Sequence, residues 1–240
     1  MNTIEVLGVN FVGTGILEAV EYGMRAMEHR EGKYVVAPDS EMMLAARKSK
    51  RLMRAIQGAE LILPEGSGVI YASRILGIPI KRKICAIDYG SALMARMSEK
   101  NMRVFLLGVD GETARLAAER IGNRYPGIVM AGSSAGNYDT DEKLLEVVNA
   151  AEADLLLVCY GTPKQELWMS RNAGLVKAGL MLGFGKEIKI VAGLTQQIPQ
   201  KWRDNGCEWL YKIIKEPHSI LRVAKRSGVL LAAIKRRLIG

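Results

Sequence analysis

Arg103-Val-Phe-Leu-Leu-Gly108 is a short apolar run ended by a glycine, and residues 112–124 follow it with helical spacing. Val129-Met-Ala131 is a second run, residues 141–150 a second helical pattern, and Leu155-Leu-Leu-Val158 a third run. Strand, glycine turn, helix, strand, helix, strand is the order of a sheet with crossover helices. The stretch therefore predicts an α/β fold, with a Rossmann-like, mostly parallel sheet flanked by helices. Ligands of such sheets gather beyond the carboxyl ends of the strands.

Working outward, further strands are expected at residues 4–8, 34–37, 61–63 and 180–182. Helices are expected at 16–29, 40–49, 50–57, 68–76, 91–100 and 164–172. There is no internal repeat and no low-complexity linker. A chain of 240 residues suffices for one α/β domain with an appendage. Its 49% hydrophobic and 25% charged residues are those of a folded protein. Cys85, Cys159 and Cys207 are widely spaced and lack metal-ligand spacing, which predicts reduced, mostly buried thiols. Residues 1–13 lack a basic segment followed by an apolar one, so no signal peptide is expected. No apolar run approaches the ~20 residues of a membrane-spanning helix.

Charge is unevenly placed. From residue 196 onward ten Lys and Arg face three Asp and Glu, a net +7 of the chain's +9. Trp202, Trp209 and Tyr211 cluster there, and after Pro217 apolar residues such as Val229, Leu230 and Leu238 interleave with cations. The expected organisation is an α/β domain over 1–195 and a basic helical appendage over 196–240. Such an appendage suits an anionic membrane surface, lying on it instead of crossing it. The plainer alternative is a helix packing its apolar stripe on the domain or on a partner subunit. Nucleic acid is the other polyanion to consider, but there is no RNA-binding aromatic motif and no helix-turn-helix signature.

Gly8 and Gly13-Thr14-Gly15 do not have dinucleotide-binding spacing, and no P-loop, zinc signature or nucleophile elbow is present. Only His29 and His218 are histidines, so neither a serine-hydrolase nor a metal-centred mechanism is expected, and no cofactor. Loops that follow strands are more informative. In Ala37-Pro38-Asp39-Ser40, Asp39 or Ser40 suits the cap of the next helix. Leu63-Pro64-Glu65-Gly66 puts a carboxylate at a glycine-flanked strand end, where a general base would sit, although turn chemistry alone explains the glycine. Gly161-Thr162-Pro163-Lys164-Gln165 presents a helix start with Lys164 and Gln165 for phosphate or sugar hydroxyls; an ordinary helix start with an exposed lysine reads equally well.

Taken in order, Ala37-Pro-Asp-Ser-Glu-Met42, Leu63-Pro-Glu-Gly-Ser-Gly68, Ile87-Asp88, Val104-Phe-Leu-Leu-Gly108, Tyr125-Pro-Gly127, Gly161-Thr-Pro-Lys-Gln-Glu-Leu-Trp168 and Glu208-Trp-Leu-Tyr-Lys212 closely resemble the WecG/TagA/CpsF glycosyltransferase family. The resemblance runs over nearly the whole chain. It implies metal-independent, inverting transfer of N-acetylmannosamine or a related sugar from a UDP-sugar donor to a polyprenyl-diphosphate-linked acceptor. It also implies a peripheral enzyme at the cytoplasmic face of the plasma membrane, whose basic C-terminal segment helps close the site. Self-association is plausible for such a surface.

By the same resemblance Glu65 takes the place of the general base, which the family usually supplies as aspartate. Lys83, Gln165 and Arg222 would balance the leaving UDP, with Ala37, Asp39, Asp88, Gly108, Ser134, Gly161, Lys164 and Gly185 around the substrates. Lys83 stands for a usual arginine, keeping the charge and losing the bidentate fork. Asp39 stands for a usual asparagine, and Ser134 for a usual histidine. Lys186 and Lys189 add cations to a segment that the family keeps glycine-rich and acidic. They suit an anion or a reactive amine, or else point to solvent. The changes at Ala37, Asp39, Ser134 and Lys189 keep a second reading open: a non-catalytic or repurposed small-molecule-binding protein on the same scaffold.

Overall fold

The computed structural model describes residues 2–215 and 228–239. Six strands form one parallel sheet in the order β4-β3-β8-β7-β5-β6. They are β3 (Lys33–Val36), β4 (Leu61–Ile62), β5 (Arg103–Leu107), β6 (Val129–Ser134), β7 (Leu155–Val158) and β8 (Leu180–Gly183). The chain builds outward through β3 and β4, crosses to build outward through β5 and β6, then fills the centre with β7 and β8. The loops after β3, β4, β7 and β8 consequently share one end of the sheet, at the reversal of strand order where such folds bind ligands.

Both faces of the sheet are covered at its centre, which is why β7 and β8 are apolar without alternation. Leu155 and Leu157 of β7 enter one core with Val35, Leu180 and Leu182, under α1 (Ile16–Glu28), α5 (Ala86–Ser98) and α6 (Gly111–Arg124). Leu156 and Val158 enter the other with Tyr34, Val36 and Met181. That second face carries α2 (Ser40–Lys48), α3 (Lys50–Gln57), α4 (Ser67–Ile75), α7 (Asp141–Ala150) and α8 (Lys164–Asn172).

Polar caps fix several helix starts. Asp39 accepts from the Met42 N–H at 3.0 Å and caps α2, and Asp110 accepts from the Thr113 N–H at 2.9 Å and caps α6. Each such bond satisfies one of the otherwise unpaired N–H groups of a first turn.

Three expectations need correction. The strand expected at 4–8 is shorter, and lies outside the main sheet. β1 (Thr3–Val6) pairs antiparallel with an unexpected β2 (Val9–Val12), Val6 opposite Val9. Leu7 and Gly8 make the turn with φ of 53° and 85°, the left-handed pair that a type I′ hairpin turn requires. Second, α5 begins at Ala86, not at residue 91, so Asp88 stands in its first turn. Third, β6 runs on to Ser134, whose carbonyl accepts from the Gly108 N–H at 2.7 Å.

A five-residue helix, α9 (Glu187–Val191), follows β8 and was not expected. The C-terminal part forms α10 (Gln200–Asp204), α11 (Glu208–Lys215) and α12 (Gly228–Ile239). Val229 and Ala233 of α12 are fully buried in the second core, with Leu44 of α2 beside Gly228. Among the described residues no helix is long and apolar enough to cross a membrane.

Candidate active site

Glu65 follows β4, and Gly66 behind it takes φ of 87°, turning the chain sharply into α4. The Glu65 Oε2 accepts from the Ala86 N–H, the first of α5, at 3.4 Å. Close packing holds α5 against the loop after β8: a Cβ on Gly90 would stand 2.7 Å from the Phe184 ring. On that loop Gly185 faces the loop after β7, where an added Cβ would lie 2.8 Å from Gln165 Oε1 and 2.9 Å from Gly161 Cα. Only glycine lets the two loops approach so closely.

Two cavities meet at these loops. One, of about 440 Å³, is floored by Gly161, Gly183 and Gly185 and walled by Ala37, Thr162 and Gln165. The other, of about 480 Å³, lies under the C-terminal helices, with Tyr71, Ile87, Ile190, Ile198, Trp209 and Leu230 as apolar walls. Lys83, Lys189 and Arg203 also reach it. Four residues line both cavities: Asp39, Glu65, Lys186 and Glu187. All four carry ionisable side chains, so a ridge of titratable groups divides the more polar chamber from the more apolar one.

The ridge changes its members. Burial pushes the Glu65 carboxyl up to about 8, helped by the charge of Glu187 and, less, of Asp39. Lys186 and the Ala86 N–H oppose the rise. A carboxyl poised there exchanges protons near neutral pH, the range a general base needs. Burial, and then Glu65, push the neighbouring Cys85 thiol up to about 12, away from the thiolate form. Among the described residues no three His, Cys, Asp or Glu side chains converge to hold a metal ion.

Lys83 and Asp88 hold the C-terminal helices. Lys83 pairs with Glu208 of α11 and donates to the Arg203 carbonyl at 3.1 Å. Asp88 accepts from Arg203 Nη1 at 2.9 and 2.8 Å. Gln165 lines the polar chamber with its amide engaged inside the protein: Oε1 accepts from the Gly161 N–H at 3.1 Å, and Nε2 donates to Glu166 Oε1 at 2.8 Å. Burial raises the Glu166 carboxyl above its ordinary range.

Gly108, Ser134 and Lys164 line neither cavity: the first two end β5 and β6, toward the far edge of the sheet, and Lys164 opens α8 with its side chain on Tyr160. Instead Gly108 makes room for the Tyr160 ring, 2.7 Å from where its Cβ would be, and Lys164 Nζ lies 4.3 Å from that ring's centroid. Ser134 Oγ accepts from the Gly136 N–H at 3.0 Å. Arg222 lies outside the described residues. Sequence reasoning missed Glu187, Arg203 and Glu208. The first sits in a segment read for its lysines, the others in a tail read for its net charge.

Residues 4–239 match the family described as "Glycosyl transferase WecG/TagA/CpsF family". Among curated proteins, the chain is similar to a protein of Bacillus spizizenii named N-acetylglucosaminyldiphosphoundecaprenol N-acetyl-beta-D-mannosaminyltransferase. The two are 24% identical over 236 residues, 98% of this chain and 92% of the relative. A Staphylococcus aureus protein of the same name is 26% identical over 215 residues, 89% of this chain and 85% of the relative.

Proposed function

Since the chain belongs to the WecG/TagA/CpsF family of glycosyltransferases, we propose that it moves N-acetylmannosamine, or a related sugar, from a UDP-sugar to N-acetylglucosamine carried on a polyprenyl diphosphate. One observation carries this reading: a base-range carboxyl, Glu65, stands on the ridge common to a polar and an apolar chamber. A sugar nucleotide suits the glycine-floored chamber, where backbone approaches closely. A lipid-linked acceptor suits the chamber with aromatic and aliphatic walls. The acceptor hydroxyl then meets the anomeric carbon at the ridge.

In this mechanism ionised Glu65 takes the proton of the acceptor hydroxyl as its oxygen attacks the anomeric carbon. The bond from that carbon to the UDP oxygen breaks on the opposite face, which inverts the configuration. Lys186 at the ridge and Lys189 in the acceptor chamber provide positive charge for the diphosphates. Lys83 and Asp88 act through α10 and α11, holding Trp209 over the apolar chamber.

The acceptor's lipid places the reaction at a membrane surface. Among the described residues Trp209, Ile214, Leu231 and Leu238 are exposed, and they stand in a segment, residues 196–240, whose sequence carries a net +7, which suits such a surface. Turnover of UDP-N-acetylmannosamine with a short-chain lipid-diphosphate-N-acetylglucosamine tests the reading, with UDP release as the signal. Release is expected to need the acceptor and to fall ~100-fold or more in Glu65→Gln. Absence of release from folded protein, or release indifferent to Glu65, would overturn it.

A further inference from the structure

We propose that the turn between α2 and α3 is a second membrane contact, on the α/β domain itself and separate from residues 196–240. Its exposed cations, Arg47, Lys48, Lys50, Arg51 and Arg54, dock on the headgroups of anionic phospholipid. The lipid-linked acceptor proposed above gives this contact its use, but the contact is testable without it.

Residues 42–59 carry these five cations and no acid, whereas residues 1–195 together carry a net charge of only +2. All five are exposed, and among the described residues none is in an ion pair. The acids that flank the segment are Glu41, in the first turn of α2, and Glu60, which pairs with Lys33. Stability of the fold does not explain the cluster. α3 buries Leu52, Ala55 and Ile56, which leaves Lys50, Arg51 and Arg54 on its solvent side. No acid stands in its first turn, where Lys50 and Arg51 meet the positive end of the helix dipole. Arg47 and Lys48 suit the end of α2, yet they add to the repulsion among like charges. An anionic surface supplies the counter-charge that the protein itself does not.

The surroundings of the turn select a bilayer as that surface. Leu44, Arg47 and Lys48 recur at helical spacing and share one face of α2. Leu44 on that face meets the start of α12: a Cβ on Gly228 would stand 3.2 Å from Leu44 Cδ2. From there α12 runs along α4 to its last residue, where Arg237 donates to the Ile75 carbonyl. It leaves Leu231 and Leu238 exposed on the way. The cations of α2 therefore border a helix with exposed leucines, the combination that a lipid interface accepts. At the other end of α2 stands its cap, Asp39, on the ridge between the chambers. The nine residues of α2 span roughly 14 Å, so docking the turn sets the ridge about one short helix from the headgroups.

The test compares the full chain with a Lys50→Gln, Arg51→Gln double variant on vesicles of phosphatidylglycerol and phosphatidylcholine in equal parts. Neither residue lines a chamber. Removing cations from the first turn of α3 should leave the melting temperature unchanged or raised. Each cation lost near an anionic surface weakens binding about fivefold, so the variant should bind roughly 25-fold more weakly. Vesicles of phosphatidylcholine alone should not separate the two proteins. Hydrogen exchange on the native chain is the second readout. The first N–H groups of α3 have no carbonyl a turn back, so they exchange readily unless covered. On the mixed vesicles the amides of Lys50 and Arg51 should exchange more slowly than in solution. Equal affinity of variant and native chain for the mixed vesicles overturns the proposal. So does protection confined to α11 and α12, which decides the matter even if the variant fails to fold. Retention of the native chain on duplex DNA but not on the vesicles would also overturn it, giving the cations to nucleic acid. Turnover of the short-chain acceptor in solution should be the same in both proteins. Vesicle binding that responds as expected in protein that transfers no sugar would uphold the docking surface and sink the proposed transfer instead.

Discussion

One methylene separates Glu65 from an aspartate, the residue that the sequence resemblance would put in its place. Its Oε2 reaches the Ala86 N–H at 3.4 Å while the carboxyl still lines both chambers. Glu65→Asp should pull the carboxylate back by roughly 1 Å, which costs ~100-fold in kcat. Steady-state rates of the variant, against native and Glu65→Gln, check this; an undiminished rate would show that the loop tolerates either length. Stability carries a second signature. The fold favours the protonated acid, since its carboxyl is raised to about 8 in place. Stability from this group is therefore full below the unfolded value near 4.3 and is lost as pH rises through about 8. Calorimetry from pH 5 to 9 should show the native melting temperature falling relative to that of Glu65→Gln, which has no proton to lose. Parallel curves would contradict this.

At the scale of elements, the apolar runs and caps were legible because local chemistry decides them. Leu155–Val158 is apolar throughout because both faces are covered, and Asp39 stands where a cap must stand. The start of α5 was hidden because Cys85 caps it without a side-chain bond. The hairpin was hidden because its turn puts Leu7, not asparagine, at positive φ. For the site, Glu65 and Asp39 were legible from glycine-flanked or capping positions after strands. Nothing local marks that Lys83 and Asp88 would meet residues 115 or more positions away. That pairing makes a testable hinge. Lys83 and Glu208 are 16% and 17% exposed, so removing one partner strands a mostly buried charge. Glu208→Ala should destabilise the docking of α11 by about 3 kcal/mol. The Lys83→Ala, Glu208→Ala double variant should lose less than the two single losses added together. Proteolysis rates in the segment around α11 and thermal unfolding of the three variants measure it, and strict additivity would mean that the pair does not couple.

For the whole molecule, charge and apolar exposure coincide at one end of the chain, and the packing of α12 decides which of its residues are available to a membrane. Val229 and Ala233 are consumed by the core. Arg236 pairs with Glu5 at 3.0 Å, and Arg237 donates to the Ile75 carbonyl at 2.6 Å. Substituting these arginines would loosen α12 and weaken membrane contact together, so they cannot separate the two effects. Leu231 and Leu238 can, being 65% and 80% exposed on the outer side of the same helix. A leucine transferred fully from water is worth about 1.5–3 kcal/mol, so each partly inserted residue is worth roughly tenfold in partitioning. Co-sedimentation with vesicles containing anionic lipid should therefore fall ~10-fold in Leu231→Gln and again in Leu238→Gln, with melting temperatures unchanged. Binding of the native chain should also weaken as salt rises, because its electrostatic part is screened over ~10 Å at 0.1 M. Vesicle binding that ignores both leucines but follows salt would leave a purely electrostatic attachment, with the outer face of α12 in water.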